Sequence, residues 1–305
     1  MYDLMIIGGG PAGLCASVYA ARKQLKTVLI SGDIGGQMNT TMGIENWLGY
    51  QFINAPDLIS QFEKHVSQFP IDQKIGYKIS RMKKIDGGFE AVTDSGDSYQ
   101  ARAALLATGK RPRKLNVSGE TEFTGRGVTY CAICDGPVFA EQKVVVIGGG
   151  NAAVEAVLDM LKIAEHVDLV SLTPLTADHI LVKQMPGAKN LGTFIEYQTV
   201  KIEGQDFVEG LVIKDLKSST EKRLDVTGVF IEIGLVPNSD AVKELVPLNK
   251  MGEVPISCAC ETTVPGLFAA GDVTDVSEKQ IIIAAGEGAK AALQAHHYLQ
   301  RLVER

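Results

Sequence analysis

The sequence predicts an α/β fold with two βαβ domains, the second inserted into the first. Two observations predict it. A strand–turn–helix–strand pattern of roughly 30 residues opens the chain and recurs in its middle. The turns share one spacing of small residues, and their first glycines, Gly8 and Gly148, are 140 positions apart. One such turn is common in α/β proteins, but two copies in the same context indicate two dinucleotide-binding, Rossmann-like units.

In the first unit a strand leads from Tyr2 into the turn, an alanine-rich helix runs to about Lys23, and a second strand covers Thr27–Ile30. The first glycine of such a turn makes a tight bend, the second lets the backbone approach a pyrophosphate, and the third lets helix and strand pack closely. The helix start then offers unpaired N–H groups to the phosphates. The turn residues are Gly8, Gly10, Pro11, Ala12 and Gly13.

In the second unit the strand begins at Lys143, the helix runs to about Ile163, and the strand Val167–Leu172 follows. An alanine replaces the third glycine and is small enough for the same close packing. We therefore expect a second dinucleotide site here. Its residues are Gly148, Gly150, Asn151, Ala152 and Ala153.

Further apolar strands and a long helix set the domain boundaries. The strands are Ala103–Thr108, Val229–Gly234 and Leu267–Gly271. The final helix begins near Ile281 and continues through Leu302. Prolines close behind the first two strands mark crossovers. We therefore predict a discontinuous domain of residues 1–112 and 243–305, with residues 116–240 inserted as the central domain.

The composition is that of an ordinary globular protein and excludes several classes of function. Of 305 residues, 45% are hydrophobic and 22% charged, and the net charge is −6. Such a chain lacks the basic footprint of a nucleic-acid-binding protein and is repelled by anionic membranes. No basic leader precedes a long apolar stretch, and no apolar run approaches the ~20 residues that span a bilayer. We expect a cytoplasmic protein with no membrane or nucleic-acid partner and no metal.

A Cys-x-x-Cys pair, Cys131 and Cys134, lies just before the second unit and is followed by Asp135. At a helix start this spacing puts both sulfurs on one turn, where the helix terminus and the partner thiol lower a thiol pKa. The pair is therefore predicted to be redox-active. Half of a zinc site and buried packing are the alternatives, although no second Cys or His pair has matching spacing. Asp135 could pass protons between thiolate, flavin and solvent, or it could be a helix-start cap or a first-turn carboxylate.

Together these motifs resemble the low-molecular-weight thioredoxin reductases and the flavoprotein reductase of the alkyl hydroperoxide system. The resemblance rests on Cys131-Ala-Ile-Cys134-Asp135 between two glycine turns and covers nearly the whole chain. The tail from Gln280 to Lys290 is most similar to the hydroperoxide-system reductase. That reductase has an extra N-terminal thioredoxin-like domain, which we expect to be missing here because the sequence starts at the first strand. Ferredoxin/flavodoxin–NADP reductases of the same fold usually lack the Cys pair.

The resemblance implies FAD as the cofactor and assigns residues to it. The first glycine turn is similar to the loop that holds the FAD pyrophosphate, and the Asp of the Gly271-Asp272 motif would hold the ribityl chain. Other segments resemble those around the isoalloxazine and pyrophosphate, the strand end beside the flavin, and a Lys-Gln segment near the flavin ring. Their residues are Gly36, Gln37, Asn46, Thr108, Gly109, Lys279, Gln280 and Ile281.

The resemblance also implies a mechanism and partners. Electrons from a donor would pass through FAD to the Cys131–Cys134 disulfide, and the dithiol would reduce a thioredoxin-like protein. By position, Cys131 would attack the partner and Cys134 would lie next to the flavin. The central domain would rotate between two states about crossovers at residues 113–117 and 241–246. The family resemblance further implies a homodimer.

The central nucleotide site departs from the family pattern. NADPH-dependent members carry arginines after the second strand of the central unit, and these grip the 2′-phosphate. The corresponding stretch, Ser171–Ala177, has no basic residue, and neither Asp168 nor Asp178 is well placed for the ribose of NADH. We expect a donor other than NADPH, with ferredoxin or a flavin-mediated donor favoured over NADH and NADPH. A second FAD at this site, or a redox sensor without turnover, also fits the pattern.

Cys258 and Cys260 form a Cys-x-Cys pair in a segment predicted to be extended, which would place both side chains on one face. Such an arrangement is a second redox pair, a metal site, or two small residues packed on a strand. The packing interpretation is favoured over the other two.

Overall fold

The computed structural model describes residues 1–40, 43–185 and 187–303. Residues 41, 42, 304 and 305 of the predicted first domain, and residue 186 of the central domain, lie outside the described residues. The α-helices are α1 (Pro11–Arg22), α2 (Ala55–Val66), α3 (Ala132–Asp135), α4 (Asn151–Met160), α5 (His179–Val182) and α6 (Ile281–Val303). Short 3₁₀-helices cover Gly36–Thr40, Gly136–Phe139 and Asp240–Val242.

The strands share the usual short lengths of an α/β protein and fall into five sheets of the described chain. They are β1 (Tyr2–Gly9), β2 (Thr27–Ile34), β3 (Gly43–Ile44), β4 (Ile53–Asn54), β5 (Asp72–Ile75), β6 (Ile79–Ile85), β7 (Gly88–Thr93), β8 (Ser98–Leu106), β9 (Lys110–Pro112), β10 (Val128–Thr129), β11 (Lys143–Ile147), β12 (His166–Ser171), β13 (Leu191–Ile195), β14 (Tyr197–Gly204), β15 (Val208–Asp215), β16 (Glu221–Leu224), β17 (Gly228–Ile231), β18 (Leu235–Pro237) and β19 (Leu267–Ala269).

The first sheet is built from both ends of the chain. Its strand order is β5–β2–β1–β8–β7–β6, and β19 also pairs with β8. β1 runs parallel to β2 and β8, as a βαβ unit requires, and β19 runs parallel to the C-terminal half of β8. α1 packs against α6, and both contribute to one buried apolar cluster with β1. The end of the chain therefore completes the sheet that its start begins.

The middle of the chain forms a second parallel sheet, in the order β10–β17–β11–β12–β13. Val144–Ile147 of β11 are buried, because helices cover one face of the sheet and the antiparallel sheet β14–β15–β16 covers the other. α4 follows β11 and precedes β12, which makes this the second βαβ unit. The prediction of an α/β fold with two such units is confirmed.

A two-stranded ribbon connects the two sheets. β9 and β18 run antiparallel, with Lys110 opposite Pro237. Beside the ribbon, the Thr108 hydroxyl donates to the Asn238 carbonyl oxygen over 2.6 Å, and the Asn238 amide donates to the Thr108 carbonyl oxygen over 2.8 Å. The two crossings therefore lie side by side, and the predicted domain boundaries stay a prediction.

The predicted elements are present, and their ends differ by a few residues. β2 continues to Ile34 because its last residues pair with the end of β1, and α4 ends at Met160 rather than near Ile163. Differences of this size are common at helix ends, which fray. In the described part of the chain, no helix is both long and apolar enough to cross a membrane.

Candidate active site

The first glycine turn joins β1 to α1 and leaves an open surface at its middle glycine. Gly8 has a φ of 115°, and a Cβ added to it would lie 2.2 Å from the Ala107 carbonyl oxygen. A Cβ on Gly13 would lie 1.8 Å from the Gly8 oxygen. A Cβ on Gly10 would meet nothing within 4 Å. The packing of the chain therefore requires two of the glycines, while Gly10 borders open space beside the helix start.

This surface fits the pyrophosphate of FAD. Pro11 opens α1, Ala12 is buried, and the first turn of α1 has no acidic side chain that would repel a phosphate. Gly10 caps the helix without a side-chain hydrogen bond, so no side chain competes for the helix start. Gly36 lies opposite, where a Cβ would be 3.4 Å from the Gly10 Cα. The two glycines are therefore close neighbours, and the phosphates of FAD would lie on the open side of Gly10 at the start of α1.

Residues from both ends of the chain meet around Asp272, which follows β19. Gln37 Nε2 donates to Asp272 Oδ2 over 2.8 Å, and Asn46 Nδ2 donates to Gln280 Oε1 over 3.0 Å. Burial raises the pKa of Asp272, while the charge of Lys279 and the Gln37 hydrogen bond oppose that change. Five residues that the resemblance assigned to FAD are therefore neighbours in the structure.

The remaining residues assigned to FAD lie at strand and helix ends. Gly109 has a φ of 64°, and a Cβ on it would meet nothing within 4 Å. Gly271 has a φ of 75°, and its N–H donates to Glu287 Oε2 over 2.7 Å. Ile281 is the first residue of α6. Their contact with FAD stays a prediction.

A buried charge cluster next to Asp272 was missed by the sequence reasoning. Lys110 Nζ lies 2.5 Å from Glu253 Oε1, and these side chains are only 7% and 9% exposed. Lys279 Nζ lies 3.8 Å from the same oxygen and donates to the Thr274 carbonyl oxygen over 2.7 Å. Burial, and next the charge of Lys110, lowers the pKa of Lys279. The cluster thus places two lysines beside the region assigned to the flavin.

The predicted redox pair forms a disulfide in the structure. Cys131 and Cys134 are bonded, with their Cα atoms 5.3 Å apart, at the start of the short helix α3. The Cys134 N–H donates to Cys131 Sγ over 3.2 Å, and the Cys131 N–H donates to the Thr129 hydroxyl over 3.2 Å. Ile133 between them is 67% exposed. A bonded pair on an accessible turn can exchange with another disulfide.

Asp135 and β3 lie directly around this pair. Asp135 is fully buried, and its carboxylate accepts a short hydrogen bond from the Thr129 hydroxyl. Its backbone N–H donates to the Cys131 carbonyl oxygen over 3.1 Å, so Asp135 is the last residue of α3 and not its N-cap.

The helix α3 packs against β3, which belongs to the part of the chain that carries the first glycine turn. The redox pair therefore lies beside the FAD-binding part of the molecule.

Glu232 is a second acid next to the redox pair, and the sequence reasoning missed it. Its Oε1 accepts the Ala132 N–H over 3.1 Å, and burial raises the pKa of Glu232 to about 7. The signal was a charged residue inside the apolar run Val229–Gly234, because a buried charge is rare unless it is paired or functional.

The second glycine turn has the same geometry as the first. Gly148 has a φ of 149°, and a Cβ on it would lie 2.3 Å from the Glu232 carbonyl oxygen. A Cβ on Gly150 would meet only Thr176 Oγ1, 3.9 Å away. Ala153 is buried against the sheet, whereas Ala152 is exposed. The turn leaves room for a pyrophosphate at the start of α4.

The loop after β12 folds back onto this turn. The N–H groups of Thr176 and Ala177 donate to the Gly149 carbonyl oxygen over 2.7 and 3.0 Å. Asn151 and Asp178 exchange two hydrogen bonds of 2.8 Å each. The loop therefore returns Asp178 to the first residue of α4, while its position relative to the ribose of a bound NADH stays a prediction. Asp168 stays on the strand, 3.1 Å from His166 Nε2.

The interpretation of Cys258-x-Cys260 as an extended segment is also wrong. Cys260 has a φ of 59° and lies in a turn, so the alternation of a strand does not apply. Its side chain is buried against the Glu287 carbonyl oxygen, whereas Cys258 is exposed. Burial raises the pKa of Cys260 to about 11, which disfavours a reactive thiolate. Within the described residues, no group of three His, Cys, Asp or Glu side chains is placed to hold a metal ion.

The comparison with family models decides the family. The model of the pyridine nucleotide-disulphide oxidoreductases matches residues 2–288, which include both glycine turns and the Cys pair. The chain belongs to the pyridine nucleotide-disulphide oxidoreductase family. The family resemblance to thioredoxin reductases implies FAD at the first turn.

Curated relatives are similar to this protein over almost the whole chain. One component of the alkyl hydroperoxide reductase of Staphylococcus aureus (strain MSSA476) is 40% identical over 301 residues. A protein named NADH dehydrogenase from Bacillus subtilis (strain 168) is 41% identical over 301 residues. These matches cover 98% of the chain and 59% of each relative, so the chain spans less than two thirds of the length of these relatives.

Solved structures match the chain along almost its full length. Thioredoxin reductase from Streptococcus pyogenes MGAS5005 has a TM-score of 0.92 and 34% identity, with 99% of each chain covered. Lactococcus lactis thioredoxin reductase in the FR conformation has a TM-score of 0.69 and 32% identity, with coverage of 99% and 100%.

Proposed function

We propose that the chain is an FAD-dependent reductase of protein disulfides, which passes electrons through FAD to Cys131–Cys134 and on to a thioredoxin-like partner. The observation that carries this proposal is the position of the disulfide on α3, packed against β3 beside the FAD-binding part of the chain. The relatives named thioredoxin reductase and alkyl hydroperoxide reductase support it. A peroxiredoxin-type disulfide is therefore the second class of partner.

In the proposed reaction each of these residues has a defined role. Gly10, Gln37 and Asp272 would hold FAD, which when bound supplies the two electrons that break the S–S bond. Cleavage with two electrons and two protons gives two thiols. Cys131, as a thiolate, then attacks the disulfide of the partner, and Cys134 resolves the mixed disulfide. The electrons leave on the dithiol of the partner. Asp135, buried beside the pair, would hold or deliver one of the protons.

Serine substitutions test this function. We expect Cys131→Ser and Cys134→Ser to abolish the reduction of oxidised thioredoxin and of an oxidised peroxiredoxin, while the flavin per chain stays unchanged. Dithionite-reduced protein, freed of excess dithionite, is mixed with the partner, and new partner thiols are counted. Cys258→Ser is the matched control and should behave like the wild type. Turnover that survives Cys134→Ser would contradict the proposal.

We also propose that NADPH is not the efficient electron donor. A 2′-phosphate needs cations, and each charge-assisted hydrogen bond contributes roughly 1.5–3 kcal/mol. Ser171–Ala177 has none, and the loop instead places the Asp178 carboxylate beside Asn151 at the start of α4. A carboxylate there repels a phosphate but suits the 2′-hydroxyl of NADH. The relative named NADH dehydrogenase also favours NADH, and reduced ferredoxin is the other candidate.

An anaerobic bleaching experiment separates the donors. The flavin-loaded protein is mixed with NADPH, NADH or chemically reduced ferredoxin, and the loss of flavin absorbance is followed. Rapid bleaching by NADPH at micromolar concentration would contradict the proposal. Bleaching by ferredoxin alone would favour a flavin-mediated route. In that case, two flavins per chain in the purified protein would indicate a second FAD at Gly148–Ala153.

A further inference from the structure

Glu232 lies between the redox pair and the second glycine turn, and the chemistry described above does not use it. Its N–H donates to the Ile147 carbonyl oxygen over 2.8 Å at the end of β11. Its own carbonyl oxygen packs so closely on Gly148 that no Cβ fits there. Its carboxylate accepts the N–H of Ala132, the first residue between the two cysteines, over 3.1 Å. One residue therefore contacts both the nucleotide turn and the backbone of the redox pair.

The elements next to this carboxylate carry no basic residue. The short helix α3, whose Ala132 N–H it accepts, carries Asp135 and follows Cys131, and the preceding strand β10 ends at Thr129, next to Tyr130. The turn from Gly148 to Asn151 has no ionisable side chain, and the first acid of α4, Glu155, is exposed. No charged side chain among the described residues compensates the charge of Glu232, whose pKa is raised by burial and opposed only by the Ala132 N–H.

We propose that Glu232 is a positioning residue whose proton sets how readily the reduced Cys131–Cys134 pair forms a thiolate. The proposal rests on the proposed function, because it concerns the reduced half of that cycle. Once the disulfide has taken up two electrons and two protons, one thiol must lose a proton to water before it can attack a partner. When Glu232 is ionised, its carboxylate on the Ala132 amide disfavours a negatively charged thiolate in the pair. A neutral carboxyl has no such effect.

The geometry makes Glu232→Gln the informative variant. A glutamine keeps an oxygen that accepts the Ala132 N–H, and it removes the charge. We expect the apparent pKa of the more reactive thiol to fall by about one unit, which gives roughly tenfold more thiolate at pH values below that pKa at which the wild-type Glu232 is ionised. Glu232→Ala removes both charge and acceptor and should lower this pKa as well. Glu155→Gln, an exposed acid on α4, is the matched control and should leave the profile unchanged.

The measurement is the rate of alkylation of each cysteine between pH 5 and 10. The protein is reduced with dithiothreitol, desalted without oxygen, treated with iodoacetamide, and the Cys131 and Cys134 peptides are quantified by mass spectrometry. A wild-type pH profile in Glu232→Gln would overturn the proposal, whatever Glu232→Ala does to folding. The alkylation assay measures the two thiols whether or not flavin is bound to the protein. Failure of the proposed function would appear separately, as a pair that never reduces a partner.

Discussion

Lys110 and Glu253 form a buried ion pair across 143 residues of sequence, with Nζ and Oε1 2.5 Å apart. Lys110 begins the ribbon strand β9, which leads away from the first sheet, and Glu253 lies in the segment that returns to that sheet. Asn249 Nδ2 donates to the other carboxylate oxygen over 2.7 Å. The pair therefore ties the exit of the chain from the first sheet to its return.

Removal of one partner should destabilise the protein strongly. Lys110→Met leaves the Glu253 charge buried, and we expect a loss of about 3 kcal/mol, near the lower end for broken buried pairs because Lys279 remains close. The double variant with Glu253→Gln should recover most of this loss. Denaturant unfolding of the flavin-loaded protein measures both. Lys74→Met, which breaks a partly exposed pair with Asp72, is the control and should lose at most ~1 kcal/mol.

Equal stability of Lys110→Met and the wild type would contradict the first prediction. A double variant no more stable than the single variant would also contradict it, because the unpaired charge would then not be the cause.

Gly10→Val should lose FAD without loss of the fold. The φ of Gly10 is −78°, which suits any residue, and its Cβ position is free of protein atoms. The valine would occupy the surface assigned to the pyrophosphate, so we expect FAD affinity to fall at least about tenfold, or ~1.4 kcal/mol. Flavin per chain and circular dichroism check this. Gly150→Val at the second turn is the matched control, and a fully flavinated Gly10→Val would refute the assignment.

Glu232 should make the stability of the oxidised protein depend on pH. Its pKa is about 7 in the folded protein and near 4.5 in the unfolded chain, so the folded state binds the proton more tightly. The contribution of Glu232 to stability is therefore highest below pH 4.5, falls as the pH rises, and stays reduced above pH 7, by at most about 3 kcal/mol.

The check compares unfolding at pH 5 and pH 8. Glu232→Gln should lack most of this decrease, so that its advantage over the wild type is larger at pH 8. The control is Glu155→Gln, whose side chain is exposed. A pH dependence that survives in Glu232→Gln would assign the effect to another group.

Asp178→Asn should shift the donor preference towards NADPH. The asparagine can still accept from Asn151 Nδ2, and the charge that repels a 2′-phosphate is gone. Because the site is exposed, we expect a gain of about 1 kcal/mol, or roughly fivefold, in NADPH relative to NADH. Anaerobic bleaching rates at low donor concentration give the ratio. Asp159→Asn, on the last turn of α4, should leave the ratio unchanged; a shift of equal size there would reduce the effect to net charge.

The sequence predicted what depends on local pattern. Both glycine turns and the spacing of Cys131 and Cys134 act over a few neighbouring residues, and the structure forms both turns and the disulfide. The loop that brings Asp178 back to Asn151 depends on backbone hydrogen bonds to the turn, which spacing does not reveal.

Long-range pairing and unusual backbone conformations also could not be predicted from the sequence. The partner of Lys110 lies on a distant segment, so no local signal could identify it. Cys260 adopts a left-handed φ that only a few per cent of non-glycine residues show, and the strand interpretation failed there. Glu232 left a signal in its apolar run, but its contact with Ala132 joins residues 100 positions apart.

The dependence of the first sheet on the end of the chain sets an order for folding during translation. α6 begins at Ile281, 259 residues after α1 ends at Arg22, and β19 is made only slightly earlier. At ~5–20 residues per second, the ribosome takes on the order of 10–50 s to deliver the helix that covers α1. The middle sheet closes from contiguous residues before that time. The first half of the nascent chain therefore keeps its apolar face uncovered until α6 is synthesised, whereas the middle section can fold before that time.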